Sequence, residues 1–210
     1  MSWEDKFKGN LLQILYRADQ PRHPAGSPQG GQFAPAQGAG GGTADEVEAK
    51  IQAKEAEIVG NSYETAIILD KEGNELFRVK GTSSSVTFGQ GERRRMKDAI
   101  LTHNHPGTES GFSFPDVNFM LQNDLAEMRV VTDSYSYSIK PGEDVLMSGE
   151  LVLTYNQVAQ ANYNRLRTEI IETGYLFDND IFDTRFLHNT WTEVAYLLGM
   201  PYERTSGGKS

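Results

Sequence analysis

At 210 residues, with 38% hydrophobic content, ten Phe, nine Tyr and two Trp, the chain is long enough for one packed domain with appendages. A net charge of −9 leaves no basic face to displace counterions from phosphates, which argues against nucleic acid as a partner. Without cysteine there is no disulfide framework, thiolate ligand or cysteine nucleophile, so any metal must sit on nitrogen and oxygen, and the composition suits a reducing cytosol.

Residues 1–20 can form a short helix with Trp3, Phe7, Leu11 and Ile14 on one side, but Asn10 and Gln13 interrupt what a signal peptide would need as its apolar core. No run approaches the roughly 20 apolar residues that span a bilayer, so the expectation is a soluble protein in the compartment where it is made. From Pro21 to Gly42 the chain is mostly Pro, Gly, Gln, Ala and Ser, which cannot bury enough apolar area to offset its ordering entropy. Residues 1–42 therefore read as a flexible segment and linker, in which His23 is solvated. Order resumes at Thr43-Ala44-Asp45-Glu46, a capping box, ahead of a helix with Val47, Ile51 and Ile58 on one face and Gly60 at its end. Thr65 to Leu69 and Leu76 to Lys80 read as two strands of a hairpin around Asp70-Lys71-Glu72-Gly73-Asn74. Val86 to Phe88 reads as a short strand, and Glu92 to Lys97 as a solvated basic helix turn or a docking patch for an acidic partner.

Asp98 to Thr102 reads as a buried strand running into His103 and His105, whose side chains then share a face. Pro106-Gly107 breaks it. Ser113, with Pro115 at the first helical position, opens a helix to about Glu127 carrying Val117, Leu121 and Leu125. Asp116 falls in its first turn, facing back toward the strand end. Met128 to Thr132 and Tyr135 to Lys140 follow as strands, and Pro141-Gly142 ends the second. Helices from about Thr154 to Thr173 and Ile181 to Leu198 come next, the latter with Leu187, Trp191, Val194 and Leu198 on one face; residues 205–210 read as a disordered tail. The fold class is α/β, a mixed curved sheet flanked by helices. The domain spans residues 43–150 and a helical extension spans 151–204.

Two imidazoles and one carboxylate, with a fourth position left to water, are the ligand set of a catalytic zinc site, whereas a closed structural site takes four protein ligands. Two ionisable rings on one buried strand face are unfavourable without a metal or charged partner. Ser113 and Asp116 also match an N-terminal cap, and capping and ligation do not conflict. His188, off the apolar face of its helix, reads as a surface or interface histidine.

The spacing His-x-His, seven residues, Ser, two residues, Asp, filled by His103, His105, Ser113 and Asp116, resembles the signature of JAB/MPN metalloprotease-like domains, also called JAMM domains. The resemblance implies one zinc ion per chain on His103, His105 and Asp116, with Ser113 hydrogen-bonding the oxyanion. It also implies a glutamate upstream as general base, for which Glu64 is placed, with Glu57, Glu72 and Glu75 as rivals. It implies JAB/MPN layering of sheet and helices, like that of cytidine deaminases. Residues Glu64–Gly142, Leu187–Trp191 and Tyr202–Arg204 are similar to JAB-like segments of phage head-morphogenesis proteins, over about two thirds of the chain. The phrase from His23 to Phe33 resembles one in phage structural proteins. Thr65-Ala66-Ile67-Ile68 stands where eukaryotic members carry glycine and small residues, and no ubiquitin-gripping insertion is recognisable. The function implied is zinc-dependent hydrolysis of an amide bond by a peptidase or isopeptidase, with a protein or peptide substrate, such as a phage structural protein, in particle assembly or maturation. Its place would be the bacterial host cytoplasm or the virion. Two other readings are a phage structural or interaction module that keeps the metal site without proteolysis, and a phosphoesterase or nuclease. The last needs two metals and more His and Asp ligands than four histidines readily supply.

Overall fold

The computed structural model describes residues 43–142, 148–174 and 179–207, so the expectations for residues 1–42 and 208–210 lie outside the described residues. The fold belongs to the unit Gly42–Ser210. Helix α1 (Ala44–Ile58) starts at the expected box: Glu46 N–H donates to Thr43 Oγ1 at 3.3 Å and Thr43 N–H to Glu46 Oε2 at 2.8 Å. After Val59, Gly60 takes φ +79°, where a side chain would be strained, and the helix stops.

Strands β1 (Thr65–Leu69) and β2 (Glu75–Lys80) form the expected antiparallel hairpin. The short helix α2 (Gln90–Arg93) precedes β3 (Ile100–Asn104), helix α3 (Phe114–Gln122), β4 (Glu127–Val131) and β5 (Tyr135–Ile139). Helices α4 (Ser148–Thr173) and α5 (Asn179–Leu197) and strand β6 (Tyr202–Ser206) complete the chain. The six strands lie in the order β2-β1-β3-β4-β5-β6, with β3 and β4 parallel and every other neighbouring pair antiparallel. The class is therefore α/β with a mixed sheet.

Strand alternation divides the interior in two. On one face Ile67, Leu69, Ile100 and Val131 pack with Ile51 and Ile58 of α1. On the other, Ala66, Ile68, Leu101, Met128, Val130, Tyr137 and Ile139 pack with Val117 and Met120 of α3, Leu151 and Val158 of α4, and Trp191 and Val194 of α5. The C-terminal helices expected as an extension thus share the core of residues 43–150. Under α1 the buried Arg129 guanidinium meets Glu55 at 2.7 Å, Glu48 at 2.8 Å and Glu127 at 2.9 Å. Burial is the largest single influence on the Arg129 charge and opposes it, but the hydrogen bonds and charges of Glu55, Glu48 and Glu127 together outweigh it and raise its pKa; on Glu55 burial wins and raises the carboxyl. Three carboxylates share one guanidinium, so the cation is the better compensated member. Among the described residues no helix is long and apolar enough to cross a membrane.

Several expectations are corrected. Val86–Phe88 is not a strand; after a turn closed by Thr82 N–H to Ser85 O at 2.8 Å it lies across the second face, with Phe88 on Phe119 at 5.2 Å between ring centroids. β3 begins at Ile100 rather than Asp98, whose φ is +59°. Phe114, not Pro115, is the first residue of α3. α3 stops at Gln122, where Asn123 Nδ2 donates to Phe119 O at 2.8 Å and Asp124 turns the chain at φ +50°. α4 begins at Ser148, nearly two turns earlier than the expected Thr154, and the added stretch carries Leu151 into the core. Thr205 and Ser206 are not disordered but pair in β6 with Ser136 and Tyr135.

On the sheet edge, Arg78 Nε donates to Glu75 Oε1 at 2.6 Å and Lys54 Nζ lies 3.1 Å from Glu75 Oε2, which hold the Glu75 carboxyl down at about 2. A depressed carboxyl stabilises the fold above its ordinary value of 4.5 and stops doing so as the pH falls through the folded value. The stability gap between the parent and Glu75→Gln, measured by urea unfolding, is therefore expected to be full near neutral pH and to close between about pH 4.5 and 2. Added salt should narrow it, because the group is partly exposed. A pH-independent gap counts against the ion pairs.

Candidate metal centre

β3 is buried along its whole length, and its alternation sends Ile100 and Thr102 toward α1 and Leu101 and His103 toward α3. His105 follows directly and continues the strand's path, its N–H donating to Val131 O at 3.2 Å. The two rings converge as expected, with Nε2 to Nε2 at 3.0 Å. Beyond Pro106, Gly107 at φ +67° turns the chain back, so that Ser110 O lies 3.0 Å from His105 Nδ1. A carbonyl only accepts, so Nδ1 carries the proton and His105 Nε2 presents its lone pair to the centre.

Ser113 caps α3, and Asp116 stands at the third helical position, where a carboxylate is also favoured by the helix dipole. Asp116 Oδ2 accepts from Ser113 N–H at 2.7 Å and from Ser113 Oγ at 2.6 Å. Asp116 Oδ1 lies 3.7 Å from His103 Nε2, and Oδ2 lies 3.8 Å from His105 Nε2. One donor atom from each of the three residues thus falls within 4.8 Å of the others. Tetrahedral zinc with bonds near 2.0–2.1 Å sets its ligand atoms about 3.3 Å apart, a spacing the observed distances bracket. The group could hold a metal ion. His103 is only 4% exposed, and burial, with the neighbouring His105, pushes its pKa down to about 4 against the opposing pull of Asp116. It is a neutral ring, the ligating form. The Arg129 backbone also favours the protonated ring weakly, while His103 Nδ1 has no hydrogen-bond partner of ordinary geometry.

Glu64 immediately precedes β1. Its backbone is clamped to the next loop by Glu64 N–H to Thr82 O at 2.7 Å and Gly81 N–H to Glu64 O at 2.8 Å. A Cβ on Gly81 would collide with the backbone oxygen of Ser85, so the loop closes this tightly only with glycine there. Glu64 lines a cleft of about 570 Å³ together with His103, His105, Ser113 and Asp116. Burial raises its carboxyl, His105 lowers it and Asp116 raises it. The rivals are elsewhere: Glu57 and Glu75 bind Arg78 and Lys54, Glu72 faces Lys71, and none lines the cleft.

Asn104, the residue between the two histidines, is a contributor that the sequence reading passed over. The alternation that aims His103 and His105 one way aims Asn104 the other, and it is 1% exposed. Its Oδ1 accepts the Thr65 N–H at 2.7 Å, and its Nδ2 donates to Tyr63 O at 3.1 Å. It grips the chain on both sides of Glu64. An amide buried between the two histidines was the available signal, since such a group needs partners. His188 stands apart from the centre with Nδ1 at 2.9 Å from Tyr202 OH, and burial and Arg204 lower its pKa. In the basic cluster, Arg93 lies over Phe119 and donates to Phe88 O, and Arg95 lies over Phe77 and donates to Leu76 O. Those two arginines brace neighbouring structure.

No protein-family model, curated protein or solved structure matches the chain.

Proposed function

We propose that the chain is a zinc-dependent peptidase of the JAB/MPN type, hydrolysing an amide bond of a protein or peptide. The observation that carries this is convergence: the donor set His103, His105 and Asp116 shares one cleft with Glu64 and Ser113. These are the five residues that the sequence resemblance names for the reaction. A zinc ion on the three donors would supply the Lewis-acid chemistry, polarising the amide carbonyl and bringing the pKa of a water to about 7.

The residues divide the remaining work. Asp116 offers Oδ1, because Oδ2 already accepts two hydrogen bonds from Ser113. His105 is held in the ligating tautomer by Ser110 O. Glu64 takes the proton of the attacking water on its carboxylate and delivers it to the leaving nitrogen as the C–N bond breaks. Ser113 Oγ turns from Asp116 to donate to the substrate carbonyl oxygen, while the Ser113 N–H keeps the aspartate in place. The setting we propose is phage particle assembly or maturation in a bacterial cell, with a phage structural protein as substrate, on the strength of the sequence resemblance.

The test is metal content by mass spectrometry on the purified full chain. About one zinc per chain is expected, falling to background in His103→Ala and in Asp116→Ala with the fold retained by circular dichroism. A folded, metal-free parent that takes up no zinc on titration would leave the residues as scaffold and favour the non-proteolytic interaction module.

A further inference from the structure

The cleft has two unlike halves. One lobe has a mainly apolar wall, built from Ala66, Val86, Phe88, Leu101, Phe119 and Met128, with Ser83, Ser84 and Ser85 beside them. Leu101 and Met128 are each 2% exposed and form the floor, while Val86 and Phe119 are half-buried and offer surface to an occupant. Across His105 a second lobe of about 560 Å³ is lined by polar groups, among them Asn61, Ser62, Thr108, Glu109 and Thr132. Ser83, His105, Pro106 and Thr108 line both lobes, so the two adjoin at His105. Each lobe alone is as large as an ordinary small-molecule site. A compact ligand would fill one and leave the other wet.

Charge narrows the chemistry further. Among the described residues neither lobe is lined by lysine or arginine, whereas Glu64, Asp116 and Glu109 face into them. A phosphate ester would meet carboxylates with no fixed cation to neutralise it. An extended polypeptide is neutral along its backbone and reaches both lobes.

We propose that the cleft takes an extended polypeptide with an apolar side chain beside the scissile amide, seated between Val86, Phe88, Phe119 and Met128. This rests on the peptidase reading and names its substrate class. The apolar lobe removes that side chain from water, and the polar lobe accepts a polar or basic continuation of the chain.

Binding is measured on the zinc-loaded full-length Glu64→Gln protein, so that turnover does not enter. The probes are acetylated, amidated, fluorescently labelled octapeptides of a Ser-Gly host with Phe, Leu, Gly or Asp as the central guest, followed by anisotropy. The Phe and Leu peptides are expected to bind at least about tenfold tighter than the Gly peptide, the share expected from burying one large apolar side chain. Val86→Asp and Phe119→Ala, each in the same background, are expected to erase that preference. Equal binding of the four guests, no binding of any, or a preference that survives both variants overturns the proposal. Digestion of the same peptides by the zinc-loaded parent separates the two readings: cleavage indifferent to the guest sinks the apolar subsite alone. Guest-selective binding without cleavage sinks the peptidase alone.

Discussion

Glu64→Gln is expected to keep about one zinc per chain and to lose about 10²- to 10⁴-fold in turnover, the usual contribution of a positioned general base. The amide has the shape of the carboxylate and cannot take a proton. The backbone of residue 64 is held through its N–H and C=O by Thr82 and Gly81, so the exchange leaves the chain path intact. The three residues that would hold the ion sit on β3, just beyond it and on α3, not on the segment of Glu64. Metal and turnover should therefore separate. Zinc content by mass spectrometry beside single-turnover cleavage reads both, and a variant as fast as the parent removes Glu64 from the mechanism.

Asn104→Ala carries the second large effect. It strips the Thr65 N–H and the Tyr63 C=O of a buried partner, and each orphaned group costs about 1–3 kcal/mol. The Thr65 amide should lose hydrogen-exchange protection, and urea unfolding should show a loss of about 2–4 kcal/mol. His103 keeps its ladder position between Ala66 and Val130, so zinc stoichiometry should hold. Turnover falls further than substrate affinity, because the freed segment is the one that aims Glu64. Asn104→Asp restores the acceptor for Thr65 but sets a carboxylate against Tyr63 O, and should not rescue. Unchanged exchange at Thr65 in the alanine variant would show that the amide does not grip the segment.

The convergence of His103, His105 and Asp116 was legible because its signal is local. Alternation in a strand aims His103 and His105 together, and a Ser-x-x-Asp cap fixes where Asp116 stands; both rules act over a few residues. The seven residues between His105 and Ser113 also have a physical meaning that spacing alone does not disclose. They form a loop that returns Ser110 O to the His105 ring. What stayed hidden depends on distant partners. Val86–Phe88 has strand composition but no strand beside it, and its hydrophobicity serves the cleft wall instead. Leu125 continues the apolar period of α3 beyond the helix end, so the period misled, although Asn123-Asp124 is turn chemistry. β6 is polar because it lies on the sheet edge, and only its pairing with β5 reveals it. Arg129 and Glu55 are 74 residues apart, and nothing near either one announces the ion pair.

The bond from Trp191 Nε1 to Phe112 O, 2.6 Å long and fully buried, crosses 79 positions of chain. Phe112 immediately precedes the serine that caps α3, so the loop leading to Asp116 is fastened by a residue far along the chain. The three residues that could hold a metal ion are all synthesised by residue 116, yet the fastening arrives only when residue 191 has left the ribosome. A fragment ending at 150 would keep all three residues but lose the donor that fixes Phe112 O. Loading of the nascent protein should accordingly be a late event, and transplanting the histidine and aspartate segment alone into another scaffold should yield a loose site.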